Sequence, residues 1–106
     1  APAPFRGEVR AMNPEKVNRR TVRRLTDLPN VGPATERDLR LLGVEKPEDL
    51  AGRCPFEMYD ELCEKTGVRQ DPCVIDVFMS VTDFMNGSAP RAWWTFTEER
   101  KRKTAR

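Results

Sequence analysis

Apolar side chains along most of the chain recur every three or four positions, and no stretch alternates apolar and polar residues for long. This spacing predicts an all-α fold of five or six short helices. The longest helix is expected to begin at Asp71-Pro72, where Asp is a cap and Pro fits the first position, and to end at Gly87. Its apolar residues are Val74, Val77, Phe78, Val81 and Met85.

Proline and glycine delimit the other predicted helices. A basic helix is expected to start at Asn13-Pro14 and to run into a turn at residue 28. Its apolar residues keep helical spacing at Val17, Thr21 or Val22, and Leu25. After the turn, a second helix is expected from Pro33 to Gly43. Its apolar face consists of Ala34, Leu39 and Leu42.

Two further helices are expected in the middle of the chain, a short one near residues 47–50 and a longer one from Cys54-Pro55 to Gly67. The inner residues of the longer helix are Phe56, Tyr59, Leu62 and Cys63. A weak internal repeat links this region to the turn. Residues 27–33 and 49–55 both start with Asp-Leu and close with a proline that opens a helix. The second copy lacks a glycine before its proline, so it predicts a degenerate second hairpin.

The turn at residues 28–35, Leu-Pro-Asn-Val-Gly-Pro-Ala-Thr, fits a phosphate group. Pro33 has a fixed φ that suits the first position of a helix, so Gly32 falls at the N-cap. Free backbone N–H groups and the helix dipole at that end both favour an anion. The turn therefore indicates contact with a nucleic-acid backbone, and the alternative is a purely structural turn.

Residues 25–35 resemble the helix-hairpin-helix motif of DNA repair and recombination proteins, as do the residues that follow, Leu39, Leu42, Gly43 and Val44. The motif usually has glycine where this chain has Asn30, a residue that also tolerates a left-handed backbone. The resemblance implies a compact SAM-like bundle with one helix-hairpin-helix.

A second resemblance covers roughly residues 22–100. The segments 48–53, 62–67, 71–78 and 93–97 resemble a small bacterial family of pathogenicity-locus or mitomycin-resistance proteins. This resemblance implies a helix-hairpin-helix domain in a bacterial cytoplasmic protein.

Basic residues lie mostly at the two ends of the chain. Residues 1–24 carry a net charge of +5 and residues 91–106 carry +4, whereas residues 25–90 carry −7. One domain with tails is the default for 106 residues. We expect a flexible arm at 1–13, a helix-hairpin-helix domain at 14–98 and a basic tail at 99–106. The charged ends are either disordered tails or electrostatic contacts to nucleic acid.

The predicted nucleic-acid contacts combine the turn with the arginines that precede it. Backbone N–H groups of the turn, the Thr35 hydroxyl and Arg37 are expected to meet phosphate oxygens, reinforced by the basic first helix. Such contacts carry no sequence information, so binding is expected to be nonspecific or selective for DNA structure. The candidate residues are Asn30, Val31, Gly32, Ala34, Thr35, Arg37, Arg19, Arg20, Arg23 and Arg24.

Cysteine and tryptophan have structural interpretations. Three cysteines and no histidine indicate neither a disulfide framework nor a zinc site, so no metal or cofactor is expected. Cys63 and Cys73 are expected to be reduced and buried; a lowered pKa of Cys73 at a helix start is the alternative. At least one of Trp93 and Trp94 is expected to close the core, with stacking on unpaired bases as the alternative.

No catalytic function is indicated, because a chain without histidine offers no readable pair of nucleophile and base. Asp71 is explained by helix capping, and Asp76 and Asp83 by the polar face of a helix.

Two functions remain: a DNA-binding accessory protein acting on duplex or branched DNA, and a protein-interaction adaptor in which the turn is only structural. With no run of 18 apolar residues and no apolar segment at the N-terminus, we expect a cytoplasmic protein without membrane contact.

Overall fold

The computed structural model describes residues 16–104, and within them every regular element is helical, which confirms the all-α prediction. The α-helices are α1, Pro33–Leu41; α2, Pro55–Thr66; α3, Cys73–Met85; and α4, Thr97–Thr104. Four short 3₁₀ turns lie between or before them, at Arg19–Thr21, Leu25–Asp27, Pro47–Leu50 and Trp93–Phe96. The predicted arm at 1–13 and the predicted helix start at Asn13 lie outside the described residues.

Helix α3 is the centre of the fold, because side chains around most of its circumference are buried. Phe78 and Val81 are fully enclosed, and α3 packs against α2, α4 and the 3₁₀ turns Pro47–Leu50 and Trp93–Phe96. The helix begins one residue later than the sequence predicts, with Pro72 as its N-cap, and the Asp71 carboxylate accepts a hydrogen bond from the Cys73 N–H at 2.8 Å. No helix within residues 16–104 is long and apolar enough to cross a membrane.

The predicted basic first helix is wrong over its described part. Residues 19–27 form two 3₁₀ turns, and the chain between them is extended at Val22 and Arg24. The reason is local hydrogen bonding. The Asp27 carboxylate accepts the backbone N–H groups of Arg23 at 3.0 Å and Arg24 at 2.9 Å, which competes with helical hydrogen bonds. The capping hydrogen bonds of Asp27 therefore determine the local backbone here, and the helical spacing of the apolar residues does not.

The internal repeat predicted from sequence is present in the backbone. Asp49 accepts the N–H groups of the residues three and four positions before it, as Asp27 does. Three residues after each aspartate, the chain has a positive φ, 68° at Asn30 and 80° at Gly52. Each copy then enters an α-helix at a proline. Two similar turns thus precede α1 and α2.

The turn at residues 28–35, called the hairpin turn below, is partly built into the core. Leu28 and Val31 are buried together with Leu39 of α1 and Leu42, the residue that follows this helix. Ala34 was predicted to share that apolar face and is exposed instead, because it lies at the second position of α1, before the buried stripe begins.

The segment predicted as a basic tail from residue 99 continues α4 through Thr104. Arg100 forms an ion pair with the fully buried Asp76, with 2.7 Å between Nε and Oδ1. The Thr97 hydroxyl donates to the other Asp76 oxygen at 2.7 Å. The sequence-based assignment of Asp76 to a polar helix face is therefore wrong. This carboxylate enters the core because two partners from α4 satisfy it.

We expect Asp27→Ala to lower the free energy of unfolding by about 1 kcal/mol at pH 7, as loss of a helix cap does. Hydrogen bonds from Arg24 and Arg23 lower the pKa of the Asp27 carboxyl. A lowered folded pKa stabilises the fold above the unfolded value of about 3.9, and this stabilisation disappears as pH falls through the folded value. Urea denaturation should therefore show the difference between wild type and variant narrowing between pH 5 and pH 2.

The matched control is Asp27→Asn, which keeps an acceptor oxygen but no charge. It should retain part of the stability at pH 7 and lose the acid dependence that Asp27 contributes. A pH-independent gap between wild type and Asp27→Ala would contradict this account.

Candidate nucleic-acid interface

The backbone of the hairpin turn has the shape that glycine usually provides in a helix-hairpin-helix motif. Asn30 adopts φ 68°, and it is the only non-glycine residue with a positive φ among the described residues. The expectation that Asn preserves a left-handed turn at this position is confirmed. Asparagine is one of the few residues that enter this region at modest cost, because its short polar side chain can hydrogen-bond locally.

The Asn30 side chain itself is directed into the protein. Its Nδ2 donates to the Ser80 hydroxyl at 2.9 Å and to the Arg91 carbonyl at 2.8 Å. Its Oδ1 accepts the Trp93 N–H at 3.2 Å. Three of the four hydrogen-bonding positions of this amide are thus used inside the protein, so its main contribution to the turn is to fix the backbone conformation.

The entrance to α1 is open. Gly32 is the N-cap, and no side chain caps it. The first helical hydrogen bond runs from Glu36 N–H to the Gly32 carbonyl at 2.9 Å, so the amides of Ala34 and Thr35 precede the helical ladder. Gly32, Pro33 and Ala34 are exposed, and a Cβ built at Gly32 meets nothing within 4 Å. This end of α1 can therefore be approached by an anion.

The other predicted residues of the turn differ in accessibility. Val31 is buried and contributes to the core. Thr35 is half-buried and Arg37 is exposed. Arg40, one turn further on, is paired with Glu36 at 3.0 Å. Of these two cations of α1, Arg37 is therefore the one that could interact with an anion at the entrance of the helix.

Arg19 has a structural role that the sequence did not predict. Its guanidinium donates to the carbonyls of Phe84 and Ser88 and lies 4.1 Å from the centroid of the Phe84 ring. It therefore holds the carboxyl end of α3, where carbonyl groups lack helical partners and the helix dipole favours a cation. Arg19 was predicted to contact nucleic acid from a basic helix; that helix does not form, and the structure places the Arg19 guanidinium against the end of α3.

The remaining arginines of this segment are exposed. Arg23 donates to the backbone carbonyls of Arg20 and Val22, which holds its side chain along its own segment. Arg20 and Arg24 are exposed on the same stretch. The 3₁₀ turn that follows, Leu25–Asp27, packs against α1. These three cations therefore belong to the chain that leads directly into the hairpin turn, as predicted, although not on a helix.

The two tryptophans are where sequence reasoning was least successful. Phe96, not a tryptophan, fills the core from this segment, while Trp93 is half-buried and Trp94 is 58% exposed. The hydrogen bonds of Asn30 to Arg91 and Trp93 place this segment beside the hairpin turn. The sequence could not predict this contact, because the two segments are more than 60 positions apart. The pair of adjacent tryptophans was the one unusual feature there.

All three cysteines are free thiols, as expected. Cys54 is exposed, and Cys63 and Cys73, which were expected to be buried, are half-buried; Cys63 packs against the core. A hydrogen bond to Asp71 raises the pKa of Cys73, opposite to the alternative of a lowered value. No cluster of three metal-binding side chains occurs among the described residues.

Comparison with known proteins identifies a family and one curated relative. The model of the Cdd1 family, described as "Pathogenicity locus", matches residues 18–102. A curated relative, "Mitomycin resistance protein McrB" of Streptomyces lavendulae, is 40% identical over 81 residues, covering 76% of this chain and 77% of the relative. No solved structure matches significantly.

We expect Asn30→Gly to lower the free energy of unfolding by about 1–3 kcal/mol, because the backbone shape survives but three hydrogen bonds are lost. Asn30→Ala should cost about 1 kcal/mol more, since alanine enters the left-handed region unfavourably. Chemical denaturation measures both.

Ser80→Ala is the control for this pair, because it removes only one of the three partners of Asn30. It should be the mildest of the three substitutions. Equal stability of the glycine and alanine variants would show that the left-handed backbone is not a constraint here.

Proposed function

The chain belongs to the pathogenicity-locus family, and we propose that it is a non-catalytic DNA-binding protein that contacts the phosphate backbone without sequence specificity. The hairpin turn and α1 are, in this proposal, a helix-hairpin-helix in which a short 3₁₀ turn, Leu25–Asp27, replaces the first helix. Because bacterial DNA is found in the cytoplasm, the proposal includes a cytoplasmic location.

The observation that carries the proposal is the open entrance of α1. Backbone amides of Ala34 and Thr35 precede the helical ladder, and Gly32 leaves space for a ligand to approach. Helix N-termini bind phosphate through such amides and through the helix dipole. The turn that presents them is held rigidly by Asn30, so little ordering is needed when a phosphate binds.

Cations around the entrance supply the long-range attraction that the acidic middle of the chain lacks. Arg37 lies on α1, and Arg20, Arg23 and Arg24 lie on the segment that leads into the turn. Arg19 is no longer among them. Neutralising phosphates releases counterions, which makes binding strongly salt-dependent and independent of base sequence.

A protein-interaction adaptor is the second candidate. The observation that favours it is the exposure of two large apolar side chains, Leu41 at 46% and Val68 at 59%. Isolated exposed apolar residues are common on soluble proteins, so this support is weaker than the geometry of the hairpin turn. Absence of binding to duplex, single-stranded and branched DNA at low salt would favour the adaptor.

Gly32→Ala is the sharpest test of the hairpin turn. The Gly32 backbone has φ −103°, which any residue adopts, and its Cβ position is empty, so the variant should fold with a stability within about 1 kcal/mol of wild type. The added methyl group would occupy the space through which a phosphate reaches the amides. We expect duplex affinity, measured by fluorescence anisotropy of labelled DNA, to fall by about tenfold, the equivalent of one charge-assisted hydrogen bond.

The control for Gly32→Ala is Gly52→Asn, which places in the second copy of the repeat the residue that the first copy has at the same position. It should leave DNA affinity unchanged. Unaltered DNA binding by Gly32→Ala would remove the hairpin turn from the interface.

The arginine segment is tested by replacing Arg20, Arg23 and Arg24 together with glutamine. Each lost phosphate contact should reduce the slope of log affinity against log salt by about 1. The matched control replaces Lys46, Lys65 and Arg69, which changes the net charge equally. If both triple variants lose affinity and slope to the same extent, only net charge matters and the segment has no special role.

A further inference from the structure

We propose that Trp94 is a base-stacking residue beside the hairpin turn, and that the protein therefore prefers DNA with unpaired bases, in single strands, gaps or branches, over intact duplex. This inference rests on the proposed DNA binding and specifies its substrate class.

Trp94 is exposed although its own 3₁₀ turn is anchored in the core. The turn spans Trp93–Phe96, and Phe96 has only 3% of its surface exposed. The rings of Trp93 and Trp94 contact each other edge to face, with 5.7 Å between centroids and 83° between planes. The indole of Trp94 therefore contacts one neighbouring ring, and 58% of the residue is exposed to solvent.

The position of Trp94 follows from the hydrogen bonds of Asn30. The residue that gives the hairpin turn its left-handed backbone also binds the Arg91 carbonyl and the Trp93 N–H with its side chain. The Asn30 side chain therefore links the turn directly to the backbone of Trp93, and Trp94 is the next residue. The segment that carries Trp94 is therefore hydrogen-bonded to the turn whose last residues open α1.

Arg91 does not provide the cation at this place, because its guanidinium lies 4.1 Å from the Phe96 ring centroid and donates to the Thr95 carbonyl. It reinforces the turn that carries Trp94. The charge for DNA binding comes from the hairpin turn and the arginines before it, and Trp94 adds an uncharged surface.

An exposed indole beside a phosphate site fits a nucleotide whose base is not paired. In intact duplex the bases are stacked inside and only their edges are accessible in the grooves. In single strands and gaps the faces of the bases are available, and aromatic side chains stack on them with little sequence preference. Trp94 therefore adds affinity only for DNA that exposes a base face.

The test uses the fact that the chain has only two tryptophans. Trp93→Phe leaves Trp94 as the sole indole, and its fluorescence is followed while single-stranded, gapped and intact duplex oligonucleotides are added. Anisotropy of labelled DNA measures binding independently. We expect quenching of Trp94 by single-stranded and gapped DNA and little quenching by duplex, although duplex binds.

In the otherwise native chain, Trp94→Ala should weaken binding to single-stranded and gapped DNA by about 5- to 150-fold, and leave duplex affinity unchanged. Trp94→Phe should restore most of the loss, because phenylalanine keeps an aromatic face. Thermal denaturation checks that both variants fold, as expected for an exposed side chain.

The outcomes separate the two proposals. If wild type binds all three DNAs and Trp94→Ala binds them equally well, or loses affinity equally for all, the stacking inference is overturned and DNA binding stands. If no DNA binds at low salt, the proposed function fails and the inference fails with it.

Discussion

The candidate nucleic-acid interface depends on the hydrogen bonds that the Asn30 carboxamide makes. This carboxamide binds Ser80 on the central helix, the Arg91 carbonyl and the Trp93 N–H, while the Asn30 backbone makes the left-handed turn before α1. A glycine at this position would allow the same turn but would lack these three hydrogen bonds. Asn30 therefore connects the turn to two other segments of the chain, at Ser80 and at residues 91–93.

Arginines in this protein have two different roles that sequence composition does not separate. Arg19 holds the carboxyl end of α3, and Arg100 neutralises a buried carboxylate. Both are held by contacts to the fold. Arg20, Arg23 and Arg24, in the segment before the hairpin turn, are exposed.

Helix limits could be predicted well from sequence because proline, glycine and capping aspartate act locally. The starts of α1, α2 and α3 and the ends of α1 and α2 followed from such residues, as did the repeated turn. The predicted first helix failed because Asp27 captures two backbone N–H groups. The environments of Asp76 and Trp93 depend on contacts between distant parts of the chain, for which the sequence has no local pattern. The hairpin turn could be located from sequence, but its attachment to the tryptophan segment could not.

The pairing of Asp76 with Arg100 also has a consequence for folding during synthesis, which proceeds from the N-terminus. The aspartate precedes its partners Thr97 and Arg100 by 21 and 24 positions, and without them its charge loses both partners inside the core. Burial of the charged carboxylate on α3 is therefore favourable only once residues 97–100 are in place. Folding of the centre is thereby linked to the arrival of the carboxyl-terminal helix, so a chain interrupted earlier lacks the means to complete its core.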